Sequence, residues 1–345
     1  MSKEKYELVV LGSGPSGRRA AIQAAKLGRK VLVIENRAPG GVSVHTGTIP
    51  SKTVRETVLN LTGFRERNFY SNQIRGVKET ELFGRVQMTQ RREVEILKDQ
   101  FLRNNVDLLN GRARFLDRSR IEVTKAGGGE EVICAHKVII AVGTSCFRPG
   151  NIEFDGKFVC DSDQILSLNK IPSSVIVVGA GVIGVEYASI LNVLGREVTI
   201  VDPRENYLEF IDREIIDEFT KILRSRGVFF RLGRKLEKVL STDKNLVQIV
   251  LDDGEILSTG MILYAAGRVG ATFDLNLQSC GLSTDPRGRI NVDKKTFQTE
   301  VENIYAVGDV VGFPALASTS MAQGRIAACH AFGEAIFEPS EFYPY

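Results

Sequence analysis

The chain has 345 residues, 43% of them hydrophobic, which is enough for about two domain cores. Its 45 basic and 42 acidic side chains leave a formal charge of +3, too balanced to select nucleic acid or an anionic membrane as a partner. No apolar run approaches the ~20 residues needed to span a bilayer, and Met1-Ser2-Lys3-Glu4-Lys5 is polar, so a soluble, cytoplasmic protein is expected.

Tyr6 to Leu11 is an apolar run with strand character, ending at Gly12-Ser13-Gly14-Pro15-Ser16-Gly17. The pattern predicts a helix from there to about Leu27, stopped by Gly28. Lys30 to Ile34 reads as a second strand, closed by Glu35 and Asn36, completing a βαβ unit of about 30 residues. A helix is predicted to start near Pro50, whose missing N–H needs no partner in a first turn. Another should run from about Val86 to Asn104, with Val94, Leu97, Phe101 and Leu102 on one face. Short strands are expected near Leu108–Phe115, Arg120–Thr124 and Glu131–Ala135, with a turn at Gly127-Gly128-Gly129. Val138 to Val142 reads as a separate buried strand ended by Gly143-Thr144.

The pattern restarts after Pro172. Val175 to Val178 is a strand, Gly179-Ala180-Gly181-Val182-Ile183-Gly184 a second glycine cluster, and the helix behind it should end near Leu194. Glu197 to Val201 follows as a strand closed by Asp202. A helix at about Asp212 to Arg226 and a hairpin at Asp253-Gly254 complete this smaller unit. Ile304-Tyr305-Ala306-Val307 is apolar again, stops at Gly308-Asp309, and precedes a helix from Ala317 to about Gly333.

Each glycine cluster would set a helix N-terminus and its unpaired N–H groups against a diphosphate, and strand, helix, second strand and terminal acid all accompany it. Glu35 would accept from a ribose hydroxyl in the first, Asp202 in the second. A carboxylate there favours NAD(H), but Arg204 and Arg196 are near enough in sequence to pair with the extra phosphate of NADP(H), unless they are solvated surface groups. The five cysteines, Cys134, Cys146, Cys160, Cys280 and Cys329, form no Cys-x-x-Cys, and His45, His136 and His330 lack metal-ligand spacing.

Both fingerprints, Gly40-Gly41, Gly47, Ile49-Pro50-Ser51-Lys52, Gly111-x-Ala113-x-Phe115, Ala141-x-Gly143-Thr144 and Ile304-Tyr305-Ala306-Val307-Gly308-Asp309 together resemble the flavoprotein disulfide reductase family. That resemblance covers essentially the whole chain. It implies an α/β fold of two Rossmann-like FAD- and NAD(P)-binding domains, the second inserted into the first. The FAD domain is expected at 1–155 and 290–345, the NAD(P) domain at 156–289. Family members carry Cys-x-x-x-x-Cys before the Ile-Pro-Ser-Lys segment. Here Ser43 and Thr48 occupy those positions, so no redox disulfide is possible there.

The resemblance further implies FAD-site residues at Gly12, Gly14, Ser16, Gly17, Glu35, Asn36, Gly40, Gly41, Val42, Ser43, Thr48, Lys52, Ala113, Gly143, Gly308, Asp309, Ala317 and Ser318. Nicotinamide-nucleotide positions follow at Gly179, Gly181, Ile183, Gly184, Asp202, Arg204 and Gly267. Asp309 matches the aspartate that holds the flavin ribityl chain, and the helix from Ala317 would face the flavin pyrimidine with its positive end. Lys52 and Glu186 match an ion pair beside the flavin and the nicotinamide and are the expected catalytic residues. His45 either lies under the flavin or makes a local hydrogen bond.

With Ser43 and Thr48 at the cysteine positions the chain resembles the branch of the family without the cysteine pair, which implies hydride exchange between NADPH and NAD⁺ through bound flavin, as a Si-specific NAD(P)⁺ transhydrogenase. A diaphorase or quinone reductase, and a non-catalytic nucleotide-sensing flavoprotein, are the alternatives. The family continues into a C-terminal interface domain that forms a homodimer or higher oligomer, and this chain is expected to lack it, its end Phe342-Tyr343-Pro344-Tyr345 resembling the segment that leads there.

Overall fold

The computed structural model describes residues 5–62, 79–168, 170–241 and 246–335, so the Phe342–Tyr345 segment lies outside the described residues. The elements in chain order are β1 (Lys5–Leu11), α1 (Pro15–Lys26), β2 (Val31–Glu35), α2 (Gly41–His45), α3 (Thr48–Leu61), α4 (Glu79–Arg103), β3 (Val106–Phe115), β4 (Arg120–Lys125), β5 (Glu130–Ile140) and β6 (Thr144–Cys146). After them come β7 (Val159–Asp161), β8 (Ser174–Val178), α5 (Val182–Val193), β9 (Glu197–Asp202), α6 (Arg213–Ser225), β10 (Val228–Leu232), β11 (Leu236–Ser241), β12 (Val247–Leu251) and β13 (Ile256–Thr259). Then follow β14 (Met261–Tyr264), β15 (Arg268–Gly270), β16 (Ile304–Ala306) and α7 (Ala317–Ala331). Among the described residues no helix is long and apolar enough to cross a membrane.

The chain divides into two compact units, one of Met1–Thr48, Gln90–Ser145 and Arg268–Tyr345, the other of Ile49–Thr89 and Cys146–Gly267. The first holds a parallel layer in the order β3, β2, β1, β5, β16. Every residue of β2 is buried, as expected of a parallel strand covered on both faces. Successive β1 side chains serve opposite faces: Val9 and Leu11 join one core with Phe115 and Ile140, while Leu8 and Val10 join another with Ala20 and Ile326. In the second core α1 and α7 meet at backbone distance, because a Cβ on Gly324 would stand 2.1 Å from the Ser16 carbonyl oxygen.

One expectation is corrected in this sheet. Glu131–Ala135 and Val138–Ile140 are not separate strands but parts of the continuous β5, and Ala141 and Val142 lie beyond its end. Its first half pairs antiparallel with β4, and from Cys134 onward it pairs parallel with β1. Exposed His136 and half-buried Lys137 interrupt the apolar pattern where the strand changes partners, which is why the sequence reads as a break.

The second unit repeats the plan with parallel strands in the order β10, β9, β8, β14, β7 and a separate antiparallel sheet β11, β12, β13. The hairpin expected at Asp253-Gly254 joins β12 to β13, with Gly254 at φ +87 and Asp253 Oδ1 accepting from Glu255 N at 3.0 Å. Asp212 caps α6, its Oδ1 accepting from Glu214 N at 2.9 Å.

The compact units change over along the chain after Thr48, Thr89, Ser145 and Gly267. Leu275, Leu277, Cys280, Leu282 and Ile290 pack with Phe115 and Ile121, and Asn276 Nδ2 donates to Phe115 O at 3.0 Å, so the stretch after Gly267 belongs to the first unit. Conversely Val54, Val58, Leu82, Phe83 and Val86 share a core with Val175, Leu191 and Ile200, which places residues 49–89 in the second.

Candidate nucleotide-binding sites

The glycine turn of the first unit leaves no room where chain meets chain and open space where a ligand would lie. A Cβ on Gly17 would sit 2.0 Å from the Gly12 carbonyl oxygen, whereas one on Gly14 would meet only Gly41 Cα at 3.9 Å. Gly14 caps α1 without any side-chain hydrogen bond, and no acid stands in the first turn. The helix therefore offers main-chain N–H donors and a positive end, suited to a diphosphate. Ser16 is buried instead, its Oγ donating to Val307 O at 3.4 Å, and Gly308 packs on it.

Glu35 is buried at the end of β2 and fixed by its neighbours. Its Oε2 accepts from Ser13 N at 3.0 Å and Ser13 Oγ at 2.6 Å, and its Oε1 accepts from Arg37 N at 3.0 Å. Ser13 Oγ accepts in turn from Gly40 N at 3.0 Å, tying the two glycine segments together. Oε1 keeps acceptor capacity for a diol. Asn36 beside it is exposed. In α2, Ser43 Oγ donates to Gly40 O at 3.0 Å, and the Val42 carbonyl accepts from Thr46 N at 3.0 Å and Gly47 N at 2.6 Å. His45 Nε2 faces Ala38 O at 3.0 Å and Pro39 O at 3.1 Å, a local tie. Thr48 opens α3, Ala113 lies on β3 opposite Val123, and a Cβ on Gly143, at φ +65, would meet nothing within 4 Å.

Asp309 follows Gly308, whose N–H donates to Gln323 Oε1 at 2.7 Å. Burial pushes the Asp309 carboxyl up; the Arg268 charge and a Ser320 hydrogen bond oppose this and do not overcome it. It is thus a half-buried carboxyl short of donors, which hydroxyls of a bound chain would supply. Nearby α7 begins at Ala317 and Ser318 with neither a side-chain cap nor an acid in its first turn. These features fit FAD.

In the second unit the same construction recurs. A Cβ on Gly184 would stand 1.9 Å from the Gly179 oxygen, and one on Gly181 would meet nothing within 4 Å. Gly181 caps α5 with no side-chain bond and no first-turn acid, half-buried Ile183 packs on the core, and Gly267 at φ +118 is likewise open. Asp202 ends β9, buried, and accepts from Ala180 N at 2.6 Å, Arg204 N at 2.9 Å, Arg204 Nε at 2.8 Å and Arg204 Nη2 at 2.8 Å. Burial pushes this carboxyl up, but the Arg204 and Ala180 donors outweigh it and hold it below the usual range. Arg196 precedes β9, so the whole strand, about 20 Å long, separates it from Asp202, too far to share a phosphate.

Lys52 on α3 and Glu186 on α5 come together as expected, Nζ to Oε1 at 2.5 Å. The lysine side chain is 57% exposed, so the pair adds at most about 1 kcal/mol to stability. Its worth lies in orientation. The sequence reading omitted Ser13, Gln323 and Arg268, which support Glu35, Gly308 and Asp309; only the hydroxyl inside the first glycine cluster was a local signal.

The chain belongs to the pyridine nucleotide-disulphide oxidoreductase family, whose model matches residues 6–324. It is an oxidoreductase, and FAD and NAD(P) nucleotides are its cofactors. Its relatives include proteins named soluble pyridine nucleotide transhydrogenase from Mycobacterium tuberculosis, 46% identical over 99% of this chain and 73% of theirs, and from Colwellia psychrerythraea, 39% identical over 94% and 70%. Among solved structures, LpdA from Mycobacterium tuberculosis matches with a TM-score of 0.88 at 27% identity, covering 97% of this chain and 74% of that one. The HOCl-induced flavoprotein disulfide reductase RclA from Escherichia coli gives 0.84 at 28%, over 97% and 73%.

Proposed function

We propose that the chain carries the hydride-exchange site of a Si-specific NAD(P)⁺ transhydrogenase, working between NADPH and NAD⁺ with FAD bound and no sulfur relay. The observation that carries this is the Lys52–Glu186 pair at 2.5 Å, in a chain with Ser43 and Thr48 at the relay positions. Its relatives named for that reaction support it, and all five cysteines are free. Bound FAD supplies a ring that accepts and returns a hydride.

The chain's own residues then have assignable tasks. Gly14 and the first turn of α1 hold the FAD diphosphate, Glu35 takes an adenosine hydroxyl, and Asp309 takes ribityl hydroxyls. The α7 terminus at Ala317 and Ser318 stabilises negative charge on the ring. Gly181, the first turn of α5 and the Asp202 region hold the nicotinamide nucleotide. Lys52 presents a cation at the reacting end, and Glu186 keeps its ammonium aimed.

The protein loaded with FAD is mixed with NADPH and the thionicotinamide analogue of NAD⁺. Absorbance of the reduced analogue should rise, and Lys52→Met should slow that rise about 100-fold with flavin content and melting temperature unchanged. Rapid reoxidation of the reduced protein by a quinone but not by NAD⁺ would overturn the assignment in favour of a diaphorase.

A further inference from the structure

The Asp202 carboxylate has about four acceptor sites, and four donors fill them: Ala180 N, Arg204 N, Arg204 Nε and Arg204 Nη2. A ribose diol cannot donate to it while the fork is closed. The partners differ in exposure, the Asp202 side chain being 3% exposed and that of Arg204 51%. The carboxylate is fixed at the end of β9, and the guanidinium can leave into solvent. Of the five N–H groups of an arginine the fork uses two, so the Nη1 pair and one Nη2 proton have no partner among the described residues. Those three lie on the guanidinium edge turned away from Asp202, spaced to take two phosphate oxygens.

We propose that the Asp202–Arg204 fork lets one pocket accept both nucleotides: closed, its outer edge binds a 2′-phosphate, and open, it gives Asp202 to a 2′,3′-diol. In the closed state Arg204 screens the carboxylate from the phosphate and pairs with both anions. In the open state the diol hydroxyls replace Arg204 Nε and Nη2 on Asp202, while Ala180 N and Arg204 N, which are main chain, stay in place. Neither state needs a second pocket or a backbone movement. This rests on the second unit being the nicotinamide-nucleotide site proposed above.

Binding of 2′,5′-ADP and 5′-ADP to the FAD-loaded protein, measured by calorimetry, tests it without any hydride transfer. Arg204→Gln should weaken 2′,5′-ADP about 10- to 100-fold and leave 5′-ADP unchanged or tighter, since no guanidinium then has to be displaced. Arg204→Lys, which keeps the charge but cannot fork, should fall between. Asp202→Asn should do the reverse, weakening 5′-ADP about 10-fold and sparing 2′,5′-ADP. Equal losses for both ligands in the Arg204 variants, or an unchanged affinity for 2′,5′-ADP, would overturn the switch. A crossover of affinities without thionicotinamide reduction would sink only the reaction assignment; reduction without a crossover would sink only the switch.

Discussion

In the first unit the acid closing the βαβ turn, Glu35, accepts from two main-chain N–H groups and the buried Ser13 hydroxyl; in the second, Asp202 accepts from two main-chain N–H groups and twice from an arginine side chain half in solvent. The glycine turns themselves share one close approach, Gly17 against the Gly12 oxygen and Gly184 against the Gly179 oxygen. Backbone donors cannot rearrange without unfolding a turn, whereas a side chain changes rotamer in nanoseconds or faster. An acid held by backbone and a buried hydroxyl suits a ligand that stays. One closed by a side chain suits ligands that come and go.

The harshest way to probe this contrast is to fill the tight glycines. Gly17→Ala and Gly184→Ala each force a Cβ to within 2.0 and 1.9 Å of a carbonyl oxygen, and each should cost more than about 3 kcal/mol of stability. If the units hold different ligands, the first variant purifies colourless, while the second, where it stays folded, keeps flavin absorbance and loses 5′-ADP binding. Flavin loss in both would erase the distinction.

Asp309→Asn gives a smaller effect with opposite signs on fold and ligand. The folded carboxyl is raised, so its ionisation opposes folding as pH rises past the unfolded value near about 4, and the penalty persists at pH 7. The amide variant without flavin should therefore melt no lower than the parent at pH 7, while binding FAD about 10-fold more weakly. A lower melting temperature together with unaltered FAD affinity would contradict both halves.

Asp202 offers the mildest test. Its folded value is lowered, so its contribution is present above the unfolded value near about 4 and is lost as pH falls through the folded one. Arg204→Gln should cost at most about 1 kcal/mol at pH 7, because the guanidinium is half-exposed, and the gap from the parent should close below about pH 4. A gap that is constant down to pH 3 would assign the loss to packing.

The glycine turns, their helices and both terminal acids were legible because each is a local pattern within about 30 residues. Longer-range facts were not. The pairing of Lys52 with Glu186 spans 134 residues, and only the family resemblance indicated it. Asp202 and Arg204 stand two apart, which says they are near but not that one closes the other. The end of the second unit at Gly267 was invisible because the following stretch contributes Leu275, Leu282 and Ile290 singly to a distant core, without helical or strand period. The continuity of β5 was hidden by His136 and Lys137 at its change of partner.

The interleaving of the units also limits how they can be recombined. A chimera that grafted only Cys146–Gly267 into another host would leave behind Val54, Val58, Leu82, Phe83 and Val86, all buried with that segment's own strands. Each such side chain is worth about 1.5–3 kcal/mol of burial, so the transplant would arrive with a gap larger than most domains tolerate. Any exchange of nucleotide preference by swapping parts has to carry the earlier stretch, Ile49–Thr89, along with the later one.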